Sequence, residues 1–165
     1  GVGVWGMIRH FTASGYVVHR GSVLLHWHPK VQALLPAGGH IEVNEDPVEA
    51  VIREVLEETG LSVEIITDQV EPLTVAYPKE IVAPVVIMVE DIDDQVDGFH
   101  QHIDMVYFCS VVGDIDSLKK GWYWVTHTEL IEQTPIAIKG GLTVQPPADV
   151  RRLGIQAVLV STTFL

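Results

Sequence analysis

The chain has 165 residues, of which 47% are hydrophobic and 19% are charged. This length favours one domain over residues 1–165, and the composition excludes an intrinsically disordered chain. The 10 basic and 22 acidic residues give a net charge of −12 at pH 7, which disfavours binding to nucleic acids and to anionic membranes. Small phosphorylated ligands remain compatible with this charge, because a bound divalent cation reverses the charge of a site locally.

Cysteine content narrows the class of protein further. Cys109 is the one cysteine of the sequence, so neither an intramolecular disulfide nor a cysteine-based zinc site can form. The longest apolar run, residues 81–89, is much shorter than the ~20 residues that a membrane-spanning helix needs. We therefore expect a cytoplasmic protein that does not bind membranes.

The first predicted elements are two strands at residues 11–19 and 23–28. The turn residues 20–22 lie between them and favour a β-hairpin. Residues 33–40 contain a proline and two consecutive glycines, so we expect a loop there.

A helix over residues 47–59 is the clearest predicted element. Asp46 is a good N-cap, Pro47 suits the first helical position, and Glu49 completes a capping box. Gly60 is a natural C-terminal stop. The residues expected to form the buried stripe, at helical spacing, are Val48, Val51, Ile52 and Val55.

The C-terminal half predicts mainly strands. Apolar runs indicate strands at 61–67, 81–89, 102–112 and 121–125. Either Thr126 or Thr128 can cap a short helix through residues 129–131, and a last helix is expected over residues 148–160. These elements indicate a mixed sheet with helices on both faces.

Three carboxylates share one side of the predicted helix 47–59. Glu54, Glu57 and Glu58 lie within an arc of roughly 100°. Like charges at this spacing destabilise a helix, and carboxylates near its C-terminal end oppose the helix dipole. A hard divalent cation such as Mg²⁺ or Mn²⁺ would relieve both penalties, because it prefers carboxylate oxygens.

The spacing of the segment 39–61 is more specific. It reads Gly39, five residues, Glu45, seven residues, then Arg-Glu-Val-x-Glu-Glu-x-Gly-Leu from Arg53 to Leu61. This resembles the Nudix (MutT-like) signature, G-x5-E-x7-R-E-U-x-E-E-x-G-U with U aliphatic, at every position. The resemblance implies an α/β/α sandwich around a mixed sheet. It also implies divalent-metal-dependent hydrolysis of a nucleoside diphosphate linked to another moiety.

The resemblance also implies roles for individual residues. Glu54 is either a metal ligand or the base that activates water, and Arg53 orients Glu45. The implied metal ligands are the backbone carbonyl of Gly38 and the side chains of Glu54, Glu57 and Glu58. The implied cofactor is Mg²⁺ or Mn²⁺, and the implied partner is a nucleoside diphosphate derivative. A homodimer is compatible with the family, since many of its members are dimers.

Other polar and aromatic residues have two interpretations each. His100, His102 and Asp104 share one strand face and either bind substrate or a further metal, or form an ordinary polar strand face. For Trp122 and Trp124 we favour packing in the core over stacking on a nucleobase. For residues 91–94 we favour an acidic surface loop over a second cation site.

Two alternative functions compete with hydrolysis. A non-catalytic Nudix module that senses a nucleotide usually has a degraded glutamate cluster, whereas this cluster is intact. An enzyme similar to isopentenyl-diphosphate isomerase needs a catalytic cysteine, and Cys109 lies in an apolar run that predicts burial. The sequence does not select a particular nucleotide substrate.

Overall fold

A mixed eight-stranded sheet organises the part of the chain described by the structure, a computed structural model that covers residues 7–67 and 71–163 without the side chain of Thr163. Its central strands, β1 (Arg9–His19) and β7 (Gly98–Val111), are parallel, and the other pairings are antiparallel. The other strands of this sheet are β2 (Ser22–His28), β3 (Ala33–Leu35), β4 (Ala37–His40), β5 (Val63–Ile65), β6 (Val86–Asp94) and β8 (Trp122–Thr126). Strands β9 (Ile136–Ala137) and β10 (Thr143–Val144) form a separate pair.

Within the described residues, three helices cover the two faces of the large sheet. They are α1 (Pro47–Thr59), α2 (His127–Glu132) and α3 (Ala148–Thr163). Successive side chains of β1 alternate between two cores: Ala13 and Val17 pack with α1, whereas Tyr16 and Val18 pack with α2 and α3. The predicted mixed sheet with helices on both faces is confirmed, and none of the described helices is long and apolar enough to cross a membrane.

The predicted bounds of α1 are confirmed. The Asp46 side chain accepts a hydrogen bond from the Glu49 N–H, the Glu49 side chain accepts one from the Asp46 N–H, and Gly60 ends the helix in the left-handed conformation. The predicted buried stripe is partly wrong, since Val48 and Ile52 are half-buried. The residues of α1 that are buried are Ala50, Val51, Val55 and Thr59.

Close packing brings α1 down onto the sheet. Gly15 of β1 lies beneath the helix, and a Cβ at this position would be 2.8 Å from Val51 Cγ2 and 3.1 Å from Val55 Cγ2. Such distances are shorter than van der Waals contact, so any side chain here would displace the helix.

The predicted loop at residues 33–40 is wrong. These residues form β3, which pairs with β2, and β4, which pairs with β1. Turn-forming residue types suggested a loop, but the small residues Ala37, Gly38 and Gly39 instead let β4 lie close to β1 and α1. As a result, β1 pairs with β2 only near their hairpin, at Val18 and His19, and with β4 along residues 12–15.

Other predicted strands differ in their bounds. Strand β5 is shorter than the predicted 61–67, and β6 begins at Val86 rather than at residue 81. The predicted acidic loop at residues 91–94 is wrong, because these residues continue β6 opposite residues 98–101 of β7. Cross-strand pairing with β7 outweighs the low strand propensity of aspartate here.

The N-terminal cap of α1 gives a test of the fold. Asp46→Ala removes the hydrogen bond to the Glu49 N–H and should lower the free energy of unfolding by about 1 kcal/mol, measured by urea denaturation. Asn44→Ala, at an exposed turn position, is the matched control and should change it by less than about 0.5 kcal/mol. Equal stability of the two variants would contradict the capping assignment.

Candidate active site

Arg53 of α1 contacts three carboxylates, two on the helix and one just before it. Its guanidinium lies 2.6 Å from Glu45 Oε1, 2.9 Å from Glu54 Oε1 and 3.2 Å from Glu57 Oε2, and it also donates to the His40 carbonyl. The sequence predicted the contact with Glu45, but not those with Glu54 and Glu57. One cation thus fixes the positions of three carboxylates.

The contact between Arg53 and Glu45 shifts the pKa of both groups. Hydrogen bonds from Arg53 hold the pKa of Glu45 below its usual value, and the Glu45 carboxylate raises the pKa of the guanidinium in turn. The Glu45 side chain is 11% exposed and that of Arg53 is 28% exposed, so the pair is partly shielded from solvent. It is therefore a stronger link than a typical surface ion pair.

Glu58 lies in a different environment. Its Oε1 accepts a hydrogen bond of 2.8 Å from the Gly38 N–H, which joins α1 to β4. Burial raises the pKa of Glu58 to about 7, the Gly38 hydrogen bond opposes this shift, and the charges of Glu54 and Glu57 add to it. This carboxylate is thus held where its negative charge is poorly compensated by the protein.

Gly39 allows β4 to approach the α1 carboxylates. A Cβ at this position would be 2.5 Å from Glu54 Oε1, closer than atoms can approach without displacement. The glycine therefore leaves the space that the Glu54 carboxylate occupies beside the backbone of β4.

A cleft of about 590 Å³ opens beside Glu58, on the sheet face that carries Thr12 and Ser14. Among its described lining residues, Lys30 is the one Lys or Arg. Burial lowers the pKa of His26 to about 4 and also lowers that of His28, so these imidazoles are neutral at pH 7. The acidic residues of the lining are Glu58, Glu90, Asp91, Asp93, Asp94, Asp104 and Asp149. The acidic lining opposes the entry of an anionic ligand, and a bound cation would offset this repulsion.

Asp104 and His102 also line this cleft, as one sequence interpretation required. Asp104 accepts hydrogen bonds from Thr12 Oγ1 at 2.8 Å and from Ser14 Oγ at 2.8 and 3.0 Å. Burial raises the pKa of Asp104, and the two hydroxyl groups oppose this shift. The register that pairs β1 with β7 places the aspartate beside both hydroxyls.

His100 differs from its neighbours because it is buried, with 1% of its surface exposed. Its Nδ1 lies 2.9 Å from the Gly98 carbonyl and its Nε2 lies 3.3 Å from His102 Nε2. His10 and His40 lie next to this pair, so four histidines meet here. The sequence did not point to His10 or His40, whose proximity depends on the pairing of β1 with β4 and β7.

The donor atoms of α1 suit a hard cation in their chemistry. Glu54, Glu57 and Glu58 supply carboxylate oxygens, and the uncompensated charge of Glu58 favours a nearby cation. These three are not among the side-chain groups of the described residues whose ligand atoms all lie within 4.8 Å of one another. The two groups that meet this distance are His10, His100 and His102, and Asp94, Asp97 and His100.

Trp122 and Trp124 of β8 contact other parts of the fold. Trp122 and Trp124 are half-buried against the core that contains α1, in agreement with the predicted packing role. Trp122 Nε1 donates a 3.1 Å hydrogen bond to the Glu58 carbonyl, and its ring stacks on that of His26, with ring centroids 4.3 Å apart. Trp122 thereby anchors the last turn of α1 to β8.

The family model and the similar solved structures agree on one protein family. The family model of the NUDIX domain matches residues 9–142. A hydrolase of the NUDIX family from Clostridium perfringens is 28% identical, with a TM-score of 0.72 over 94% of this chain and 99% of that one. A MutT NUDIX hydrolase from Burkholderia pseudomallei is 18% identical, with a TM-score of 0.53 over 91% and 98% of the two chains, and shares the fold. No curated protein gives a significant match.

The Arg53–Glu45 pair predicts a pH-dependent stability. The lowered pKa of Glu45 means that its contribution is complete above its unfolded-state pKa of about 4.3 and is lost as the pH falls through the lower folded-state value. Glu45→Gln should therefore lower the free energy of unfolding by about 1–2 kcal/mol at pH 7, and by progressively less below pH ~4. Urea denaturation from pH 7 to pH 3 measures this, and a pH-independent difference would contradict it.

Proposed function

The chain belongs to the Nudix family of hydrolases, whose members generally cleave nucleoside diphosphate derivatives, and we propose that it hydrolyses such a compound with Mg²⁺ or Mn²⁺. The substrate is a nucleoside diphosphate linked to another moiety, and the bond cleaved is the phosphoanhydride. The observation that carries the proposal is the acidic cleft beside Glu58, in which Lys30 is the one described Lys or Arg. A diphosphate needs a divalent cation to bind there, and the α1 carboxylates are ligands of the right type.

The proposed metal ligands are Glu54, Glu57 and Glu58, with the backbone carbonyl of Gly38. A bound Mg²⁺ or Mn²⁺ would supply charge neutralisation at the diphosphate and lower the pKa of water. The Gly38 N–H holds Glu58 toward the cleft, and Arg53 holds Glu57 through an ion pair one helical turn away. These contacts restrain the two carboxylates, and the three α1 carboxylates would have to move closer together to share one cation.

Glu54 has a second possible role. Arg53 holds its Oε1 at 2.9 Å, and Gly39 leaves room for the carboxylate beside β4. A carboxylate fixed in this way can either complete the metal site or accept the proton of the attacking water. Arg53 and Glu45 are then positioning residues, because they act through Glu54 and Glu57.

Asp104 contributes from β7 in this proposal. Its carboxylate is fixed by Thr12 and Ser14, and it lines the same cleft as Glu58. It supplies negative charge beyond the helix, to a second cation or to water in the cleft. His102, which also lines the cleft, is the second substrate-facing residue proposed on this strand.

The structure bears on one alternative function. An activity like that of isopentenyl-diphosphate isomerase needs a reactive cysteine, but Cys109 is completely buried and burial raises its pKa to about 12. A thiol in this state is a poor nucleophile. A nucleotide sensor without turnover stays a competing hypothesis, which the activity assay below distinguishes.

The decisive experiment is a substrate screen. Nucleoside diphosphate derivatives, including sugar nucleotides and dinucleotides, are incubated with the protein and Mg²⁺ or Mn²⁺, and phosphate release is measured after a coupled phosphatase. Turnover that disappears on chelation of the metal supports the proposal. Tight binding of a nucleotide without turnover would instead indicate the sensor. Gel filtration of the same protein tests for a homodimer.

The metal ligands predict a loss of activity without a loss of fold. Glu57→Gln and Glu58→Gln should each lower turnover by about a hundredfold or more, because each removes an anionic ligand at nearly constant volume. Glu64→Gln, at an exposed position of β5, is the matched control and should retain its rate. Rates close to wild type in both α1 variants would show that the metal assignment is wrong.

Asp104 provides a separate test. Asp104→Asn keeps the volume and some of the hydrogen bonding to Thr12 and Ser14, but removes the charge. Turnover should fall at least about tenfold, whereas the melting temperature should change by only a few degrees, since burial already disfavours the charged form. Exposed Asp116→Asn is the control. A normal rate combined with a strongly lowered melting temperature would assign Asp104 a structural role alone.

A further inference from the structure

Four histidines converge on the sheet face that carries Asp104, near the N-terminal end of β7. His10 of β1 pairs with His102 of β7, and His40 of β4 pairs with Thr12, two residues along β1 from His10. His100 lies two residues before His102, on the same face of β7. The side chains meet because the pairing of β1 with β4 and β7 places these positions side by side on one face of the sheet.

The nitrogen atoms have the spacing of a metal site. One nitrogen each of His10, His100 and His102 lies within 4.8 Å of the others, and His100 Nε2 is 3.3 Å from His102 Nε2. In a tetrahedral zinc site with Zn–N distances of about 2.0–2.1 Å, neighbouring nitrogens are about 3.3–3.4 Å apart. The His100–His102 distance already equals this separation.

The tautomer of His100 suits a ligand. Its Nδ1 lies 2.9 Å from the Gly98 carbonyl, which can only accept a hydrogen bond, so Nδ1 carries the proton. The lone pair is then on Nε2, the atom that faces His102. Donation of the distal N–H to a backbone carbonyl is the usual arrangement around a metal-bound histidine.

The neighbouring groups complete this arrangement. His40 Nε2 lies 3.2 Å from His10 Nδ1, so that contact occupies Nδ1 and leaves Nε2 as the ring nitrogen of His10 that can serve as a ligand. Asp94 Oδ2 lies 4.0 Å from His100 Nε2 and adds negative charge beside the cluster. Imidazole nitrogens are ligands of zinc, copper and nickel ions, whereas Mg²⁺ prefers oxygen.

We propose that His10, His100 and His102 bind a divalent transition-metal ion of the zinc class, with His40 as the partner that positions His10. This ligand set contains none of the α1 carboxylates, and the proposal does not depend on the proposed hydrolytic function. The ion would join the beginning of β1 to β7. Because His100 is buried and His102 lines the cleft, the ion would also lie at the wall of the cleft.

Zinc binding to the whole chain tests the proposal. The protein is first treated with a chelator and then titrated with Zn²⁺ in millimolar Mg²⁺, with calorimetry and metal analysis as readouts. We expect one equivalent of Zn²⁺ per chain and, at a hundredfold excess over Kd, a melting temperature raised by about 5–10 °C. The absence of stoichiometric binding, or displacement of Zn²⁺ by Mg²⁺, would overturn the proposal.

Variants localise the ion. His102→Gln and His10→Gln should each weaken Zn²⁺ binding at least about tenfold. His19→Gln, at the opposite end of β1, should not change it, and neither should Glu57→Gln or Glu58→Gln. These α1 variants separate the proposal from the proposed function, since they impair hydrolysis alone. Undiminished binding in both His102→Gln and His10→Gln, or a loss in the α1 variants, would show that zinc binds elsewhere.

Discussion

The parallel pairing of β1 with β7 is the contact on which the rest of the structure depends. It runs from Arg9 opposite Gln101 to Val18 opposite Ser110, through the middle of the sheet. Alternation along these two strands sends one set of side chains to α1 and the other to α2 and α3. The same register places Asp104 beside Thr12 and Ser14. A shift by one residue would exchange the two faces and dismantle the core and the cleft together.

Electrostatics then determines what the cleft can accept. The acidic residues of its wall, among them Glu58 and Asp104, repel a free diphosphate and favour cations. Arg53 compensates Glu45, Glu54 and Glu57 within the protein, whereas Glu58 is left with a backbone N–H. Burial is the main cause that raises the pKa of Glu58, and the charges of Glu54 and Glu57 add to it. The cleft is thus suited to a substrate that arrives with metal.

Local signals in the sequence predicted the helices well, including α1, which carries the carboxylate cluster. The capping residues Asp46 and Gly60 determine the bounds of α1 through contacts with near neighbours, so they are readable from the sequence. Strand β4 was missed, because it forms through pairing with β1, which lies more than twenty residues away in sequence. The same reason explains the histidines: His10, His40 and His102 are distant along the chain, and only the strand register brings them together.

Gly15 sets how closely α1 approaches the sheet. Because no side chain separates β1 from Val51 and Val55, the axis of α1 lies nearer to the sheet than an alanine would permit. The α1 carboxylates are carried by this helix, so their distance from β4 depends on position 15, although the nearest atoms to that position belong to Val51, Val55 and Cys109. The hydrogen bond between Gly38 and Glu58 spans that height. The absence of a side chain at position 15 thus determines the separation between α1 and the sheet, and through it the position of the charged cluster relative to β4.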